Sequence, residues 1–289
     1  MEFKRLGSSS VRLPEIGLGT WKYAGGVAPL RAGIEHGACL IDTAEGYGTE
    51  EIVGHAVQGL RDRVFLATKA SARNFRRRDL IAAAERSLRR LNTDYIDLYQ
   101  LHWPNYRVPV EDSMAGMEEL VDSGKIRFIG VSNFSVRELK RAQAALRRNK
   151  IMSNQVSYSL IERTIEGGLL EYCQQSEVTI IAYSPLGMDL AQITASDPEG
   201  VLSRIATARG KTEAQVALNW ITANVNVVAI PKASTVAHAI EDCGASGWRL
   251  SQADSDVLET KIRYKRRGFV ESAARRWARH AFQLLGRSL

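Results

Sequence analysis

Short apolar runs alternate with amphipathic segments eight times along the 289 residues of this chain. The runs at 16–20, 38–41, 64–69, 95–102, 126–131, 153–156, 178–183 and 225–230 read as strands. Segments with helical spacing follow them at 29–36, 50–60, 79–91, 110–121, 136–146, 168–175, 200–209 with 213–222, and 235–243. A helix between successive strands is the crossover that parallel pairing requires. Eight such units in this length predict an α/β fold, a (β/α)8 TIM barrel. A doubly wound open sheet is the competing architecture, but no Gly-x-Gly-x-x-Gly follows the first strand. Residues 3–13 alternate around Gly7-Ser8-Ser9 and predict a β-hairpin ahead of the barrel. The barrel is expected to occupy residues 1–262, and the spacing leaves no room for a second domain.

The net charge of +7 belongs to the end of the chain. Nine lysines and arginines lie from Lys261 onward against one acid, Glu271, while 30 basic side chains meet 31 acidic ones before it. Nucleic-acid binding by the barrel is therefore not expected. Within 263–289, Val270, Ala273, Ala274, Trp277, Ala281 and Leu284 keep to one helical stripe, and Arg275, Arg276, Arg279 and Arg287 lie mostly off it. This predicts an extra C-terminal basic amphipathic helix, docked on the barrel or offered to an anionic membrane surface or a protein partner. Cys39, Cys173 and Cys243 show no metal-ligand spacing, and no run reaches the length of a membrane span. A reduced, cytoplasmic protein is expected, and a monomer.

In such barrels the chemistry collects at the C-terminal ends of the strands. The second strand ends at Asp42, the third at Lys69 and the fourth at His102. The fifth ends at Ser132-Asn133, the sixth at Asn154-Gln155, the seventh at Tyr183-Ser184, and Lys232 follows the eighth. Tyr47 stands five residues past Asp42. Each group has a plain alternative: Asp42 caps a helix, Lys69 snorkels to solvent, His102 is a satisfied core side chain. Their joint placement on one rim points instead to proton transfer to an oxygen atom.

These residues resemble the aldo-keto reductase family, over a stretch from about Leu6 to Cys243. Asp42-Thr43-Ala44 with Tyr47, Glu50 and Gly54 is similar to one family signature. Ser87-x-x-x-Leu91-x-x-Asp94-x-x-Asp97-Leu98-Tyr99-x-x-His102-x-Pro104 resembles its fourth-strand region. Residues 124–134, Gln155, Tyr183-Ser184-Pro185-Leu186, Gln215-Val216-Ala217-Leu218-x-Trp220 and Ile230-Pro231-Lys232 continue the likeness in order. The resemblance implies an NADPH-dependent reductase of aldehydes or ketones, working without metal on a small carbonyl substrate. Its catalytic tetrad falls on Asp42, Tyr47, Lys69 and His102. Tyr47 is then the proton donor, and Lys69 is expected to lower the phenol's pKa. Asp42 would orient Lys69, and His102 would hold the carbonyl oxygen.

The resemblance also assigns the cofactor. Ser132, Asn133 and Gln155 are implied at the nicotinamide carboxamide, and Tyr183 against the ring. Ser184, Leu186, Lys232, Ser234 and Glu241 are implied at the pyrophosphate and adenosine. His238 replaces an arginine that is common in the family, and Asp242 an asparagine, which leaves NADH as an alternative cofactor. Trp21, Tyr23, Trp103 and Tyr106 are expected to wall an apolar substrate pocket, left open by short loops after the fourth and seventh strands. A second class of function is a redox-sensing regulatory subunit of the same fold, binding NADPH and a protein partner.

Overall fold

A computed structural model describes residues 1–266 together with Glu271, Ala274 and Ala278. The hairpin comes first, β1 (Phe3–Arg5) paired antiparallel with β2 (Arg12–Pro14). Eight strands then pair in sequence order, all parallel: β3 (Leu18–Gly19), β4 (Leu40–Asp42), β5 (Phe65–Ala70), β6 (Ile96–Leu101), β7 (Ile126–Ser132), β8 (Ile151–Ser157), β9 (Thr179–Tyr183) and β10 (Val227–Ala229). The two edges meet. Gly17 N donates to Ala229 O at 2.8 Å, and Ala229 N to Glu15 O at 2.8 Å. The sheet is thereby closed into the expected barrel.

The crossovers are helical. They run α1 (Val27–Glu35), α2 (Glu50–Val57), α3 (Arg77–Leu91), α4 (Val110–Asp122), α5 (Val136–Ala145), α6 (Leu169–Gln175), α7 (Leu190–Ala195), α8 (Val201–Arg209), α9 (Glu213–Thr222) and α10 (Val236–Cys243), and α11 (Gln252–Lys261) follows the last strand pair. Their starts are written locally. Ser135 and Glu138 form a reciprocal cap on α5, as do Thr212 and Gln215 on α9. One expectation is corrected. The connection after β9 is not a short loop but carries α7, which begins where the Asp189 side chain accepts from Gln192 N at 3.0 Å.

Alternation along each strand makes two cores. Ile41, Leu66, Tyr99, Val131 and Ile180 point outward and pack under the helices. Leu40, Ala67, Leu98, Ile181 and Val228 point inward, and Leu6 and Leu13 of the hairpin close that inner core from below. Lys4 pins the plug, its Nζ donating to the carbonyls of Thr222, Asn224 (2.5 Å) and Val227 (2.8 Å). Backbone pairing continues past residue 262. Arg263 N donates to Ser196 O and Lys265 N to Ile161 O, both at 2.9 Å. The C-terminal amphipathic stripe expected over 263–289 lies largely outside the described residues. Among the described residues, no helix is long and apolar enough to cross a membrane.

Candidate active site

Two residues beyond its apolar layer, the inner face of the barrel turns polar. Leu40 is followed on that face by Asp42, Ala67 by Lys69, and Leu98 by Gln100. All three polar side chains are buried. Lys69 Nζ pairs with Asp42 Oδ1 and also donates to Thr43 O at 2.8 Å. The other carboxylate oxygen, Asp42 Oδ2, accepts from Gln155 Nε2 at 2.8 Å and from Gln100 Nε2 at 3.1 Å. Asp42 thus meets one cation and two amides, the coordination a buried carboxylate needs.

Tyr47 enters from the short 3-10 turn Glu45–Tyr47 that follows β4. Glu45 holds this turn against the loop beyond Lys69, accepting from Ser71 N at 2.5 Å and from Asn74 Nδ2 at 2.8 Å. The Lys69 ammonium lies 5.0 Å from the Tyr47 ring centroid. The Tyr47 hydroxyl is 3.2 Å from His102 Nε2, and the two rings meet edge to face at 5.4 Å. The expected tetrad residues are therefore brought together, in one cluster at the C-terminal ends of β4, β5 and β6.

Burial and charge compete over these groups. Burial favours loss of the Lys69 proton, but the contacting Asp42 carboxylate overrides it and the lysine's pKa is raised. Burial raises Tyr47 as well. Lys69 pulls the phenol downward through its charge and a hydrogen bond, without reversing the net direction. The expected net lowering is thus corrected: Tyr47 keeps its proton at neutral pH, and Lys69 limits how tightly. Burial, with the Lys69 charge nearby, pushes His102 down to about 3, so its imidazole is neutral.

The residues expected at the cofactor lie on adjoining strand ends. Ser132 Oγ donates to Gln155 O at 2.9 Å. Asn133 Nδ2 reaches Ser132 Oγ (2.9 Å) and His102 O (3.2 Å), and Asn133 Oδ1 accepts from the Tyr183 hydroxyl at 3.0 Å. Asn133 and Ser184 both hold left-handed backbone, φ 64° and 48°. Strain of this kind collects where a surface is shaped for a ligand. Leu186 is half-buried near them. Lys232 and His238 are exposed, Ser234 and Glu241 half-exposed. Thr235 caps α10 by accepting from His238 N at 3.2 Å. Asp242 is buried on that helix, and burial beside Glu241 pushes its carboxyl up to about 8.

The four aromatic side chains expected around a pocket are placed differently from one another. Trp103 lies almost parallel to the His102 ring, centroids 6.3 Å apart. Trp21 is exposed, with Lys22 4.7 Å from its ring centroid. Tyr23 is buried, and its hydroxyl donates to Gly26 O at 2.7 Å. Tyr106 is bound through its hydroxyl to Glu138 at the start of α5. Among the described residues, no group of His, Cys, Asp and Glu side chains is placed to hold a metal ion. Gln100 escaped the reading by strand ends, because it sits inside an apolar strand. Its position two residues past inward-facing Leu98 is the signal that finds it.

A model of the Aldo/keto reductase family matches residues 15–263. The chain belongs to the aldo-keto reductase family. The methylglyoxal reductase YeaE of Escherichia coli is 42% identical over 263 residues, 87% of this chain and 92% of that protein. The glyoxal reductase of Bacillus subtilis is 35% identical over 266 residues, 90% of this chain and 93% of that one. An aldo/keto reductase from Klebsiella pneumoniae, solved in complex with NADP and acetate, is similar with a TM-score of 0.81 at 38% identity, over 92% of this chain and 96% of that chain. Within this aldo-keto reductase, Asp42, Tyr47, Lys69 and His102 form one contacting cluster.

Proposed function

We propose that the protein reduces small aldehydes and dicarbonyl compounds to alcohols with NADPH, and that Tyr47 delivers the proton. One observation carries this reading: a protonated, half-buried phenol lies 3.2 Å from a neutral imidazole and above a lysine held charged by Asp42. The E. coli and B. subtilis relatives, named for methylglyoxal and glyoxal, favour α-dicarbonyls as the substrate class.

The residues fit the cofactor. Asn133 and Ser184 shape the rim with strained backbone, and Ser132, Asn133, Gln155 and Tyr183 present amides, a hydroxyl and a ring in one linked set. Ser184, Leu186, Ser234, Glu241 and the α10 helix start would hold the pyrophosphate and adenosine, with Lys232 supplying the exposed cation for a phosphate. His238 would complete that end, while Asp242 lies buried on α10 beneath it. NADPH, when bound, supplies the hydride that reaches the carbonyl carbon.

The chain's own residues supply the rest. As negative charge grows on the substrate oxygen, Tyr47 gives up its proton to that oxygen. Lys69 offsets the phenolate that remains, and Asp42 keeps the lysine charged and in place. The neutral imidazole of His102 donates a hydrogen bond that holds the oxygen beside Tyr47. Trp103, against His102, gives the reacting carbonyl an apolar wall.

The test is consumption of NADPH, followed at 340 nm with methylglyoxal, glyoxal and a set of simple aldehydes, and repeated with NADH. Turnover with a dicarbonyl and a higher kcat/KM for NADPH than for NADH is expected. Tight NADPH binding with no turnover of any carbonyl would overturn the enzyme reading in favour of a redox-sensing subunit.

A further inference from the structure

Gln100 is buried one residue before the end of β6, where nothing in the tetrad requires an amide. Its Nε2 donates to Asp42 Oδ2 at 3.1 Å, and its Oε1 faces Gln155 Nε2 at 3.5 Å. Gln155 Nε2 also donates to the same Asp42 oxygen at 2.8 Å. A carboxylate can only accept, so the amide nitrogens of both glutamines must point at Asp42. The Gln100 oxygen then takes the second N–H of Gln155. Both N–H groups of Gln155 are committed inward, and no protein donor among the described residues reaches Gln155 Oε1. Gln155 can therefore offer a ligand only an acceptor.

The barrel makes room for this arrangement. Gln100 pairs across the sheet with Gly130. A Cβ at Gly130 would lie 2.8 Å from Gln100 Cγ and 2.6 Å from Ser153 Oγ, closer than side chains pack. The absent side chain on β7 leaves room for the stem of the Gln100 side chain.

We propose that Gln100 is a positioning residue that fixes the polarity of the Gln155 amide, so that the site selects a nicotinamide whose ring substituent donates a hydrogen bond. This rests on the reading that Gln155 faces the nicotinamide. Without Gln100 the Gln155 side chain loses its second anchor and turns to present either end. The amide of NADP+ donates and accepts, whereas the 3-acetyl group of the acetylpyridine analogue only accepts. The wild-type site discriminates against the analogue, because its methyl group replaces the N–H that would donate to the Gln155 oxygen.

The experiment is isothermal titration of NADP+ and of its 3-acetylpyridine analogue into wild type, Gln100→Met, Gln100→Glu and Gln155→Ala. The wild type is expected to prefer NADP+ by about tenfold, as the loss of one well-placed hydrogen bond implies. Gln100→Met should bring the ratio of the two Kd values close to one by strengthening analogue binding relative to NADP+. Gln100→Glu keeps an acceptor for the second Gln155 N–H whether its carboxyl is protonated or ionised, so it should keep the preference; loss of the preference in this variant, with NADP+ still bound, overturns the role of Gln100 where the Met variant does not fold. A general packing defect would weaken both ligands alike and leave the ratio unchanged, which overturns the role of Gln100. If Gln155→Ala binds both ligands as the wild type does, the nicotinamide-facing reading of Gln155 fails instead, and the proposal with it.

Discussion

Lys4 is largely covered and Lys69 wholly buried, at opposite ends of one barrel, and their protons are held with opposite strength. Lys4 fastens the hairpin below the inner core, its Nζ among the carbonyl oxygens of Thr222, Asn224 and Val227 with Glu15 4.0 Å away. Burial outweighs these partners and brings Lys4 down to about 8, the Glu15 charge opposing the fall and Arg249 adding to it. Lys69 has no exposed surface, yet its pKa is raised because Asp42 touches it. Carbonyl dipoles satisfy an ammonium's hydrogen bonds, but only a contacting carboxylate balances its charge. The lower lysine is a fastener that burial makes easier to neutralise. The upper one stays charged through the physiological range, which is what a phenolate forming at Tyr47 needs.

The largest break in this comparison is Lys69→Met. It leaves the Asp42 carboxylate buried with two amides and no cation, and the loss should be about 3–5 kcal/mol in urea unfolding. Reductase turnover should fall with it. Lys4→Met sharpens the other side. Between about pH 8 and 10.5 the unfolded chain binds a proton at Lys4 that the folded chain does not, so this lysine makes stability rise with pH across that window. Unfolding free energies of the wild type should gain about 3 kcal/mol relative to Lys4→Met over those pH values, with turnover of the variant within about twofold of wild type. His102 gives a smaller effect of the same kind. Its folded pKa of about 3 lies below the ordinary 6.5, so its stabilising contribution is whole above pH 6.5 and is lost as pH falls toward 3. By pH 5 the wild type should have lost about 2 kcal/mol relative to His102→Gln, and the His102 imidazole NMR signals should not titrate between pH 5 and 8.

The barrel was legible because periodicity alone separates buried strands from covering helices, and the strand-end rule then brings Asp42, Lys69 and His102 to one rim. What escaped had physical reasons. Gln100 lies within Ile96-Asp97-Leu98-Tyr99-Gln100-Leu101, a strand that is buried throughout and has a polar residue on each face, so the sequence does not mark which of them faces the site. The direction of the Tyr47 shift was misjudged because the sequence names a neighbouring ammonium but not the burial that outweighs it. The six-residue helix α7 was missed because its Leu-Ala-Gln-Ile-Thr-Ala stretch is too short for periodicity, and only the Asp189 cap marks its start. The grip of Glu45 on Ser71 and Asn74 escaped too, because it joins segments distant in the chain.

Whether the phenol above Lys69 is the acid in the reaction is decided most directly by Tyr47→Phe. The substitution removes one oxygen atom from the cluster and leaves the Asp42–Lys69 pair and the cofactor-facing residues in place. Steady-state reduction of methylglyoxal should fall by about 10³-fold in kcat, in the range expected for loss of a positioned acid, while the Kd for NADPH stays within about twofold of wild type. Near wild-type kcat in Tyr47→Phe, with methylglyoxal still reduced by NADPH, would contradict proton delivery by Tyr47.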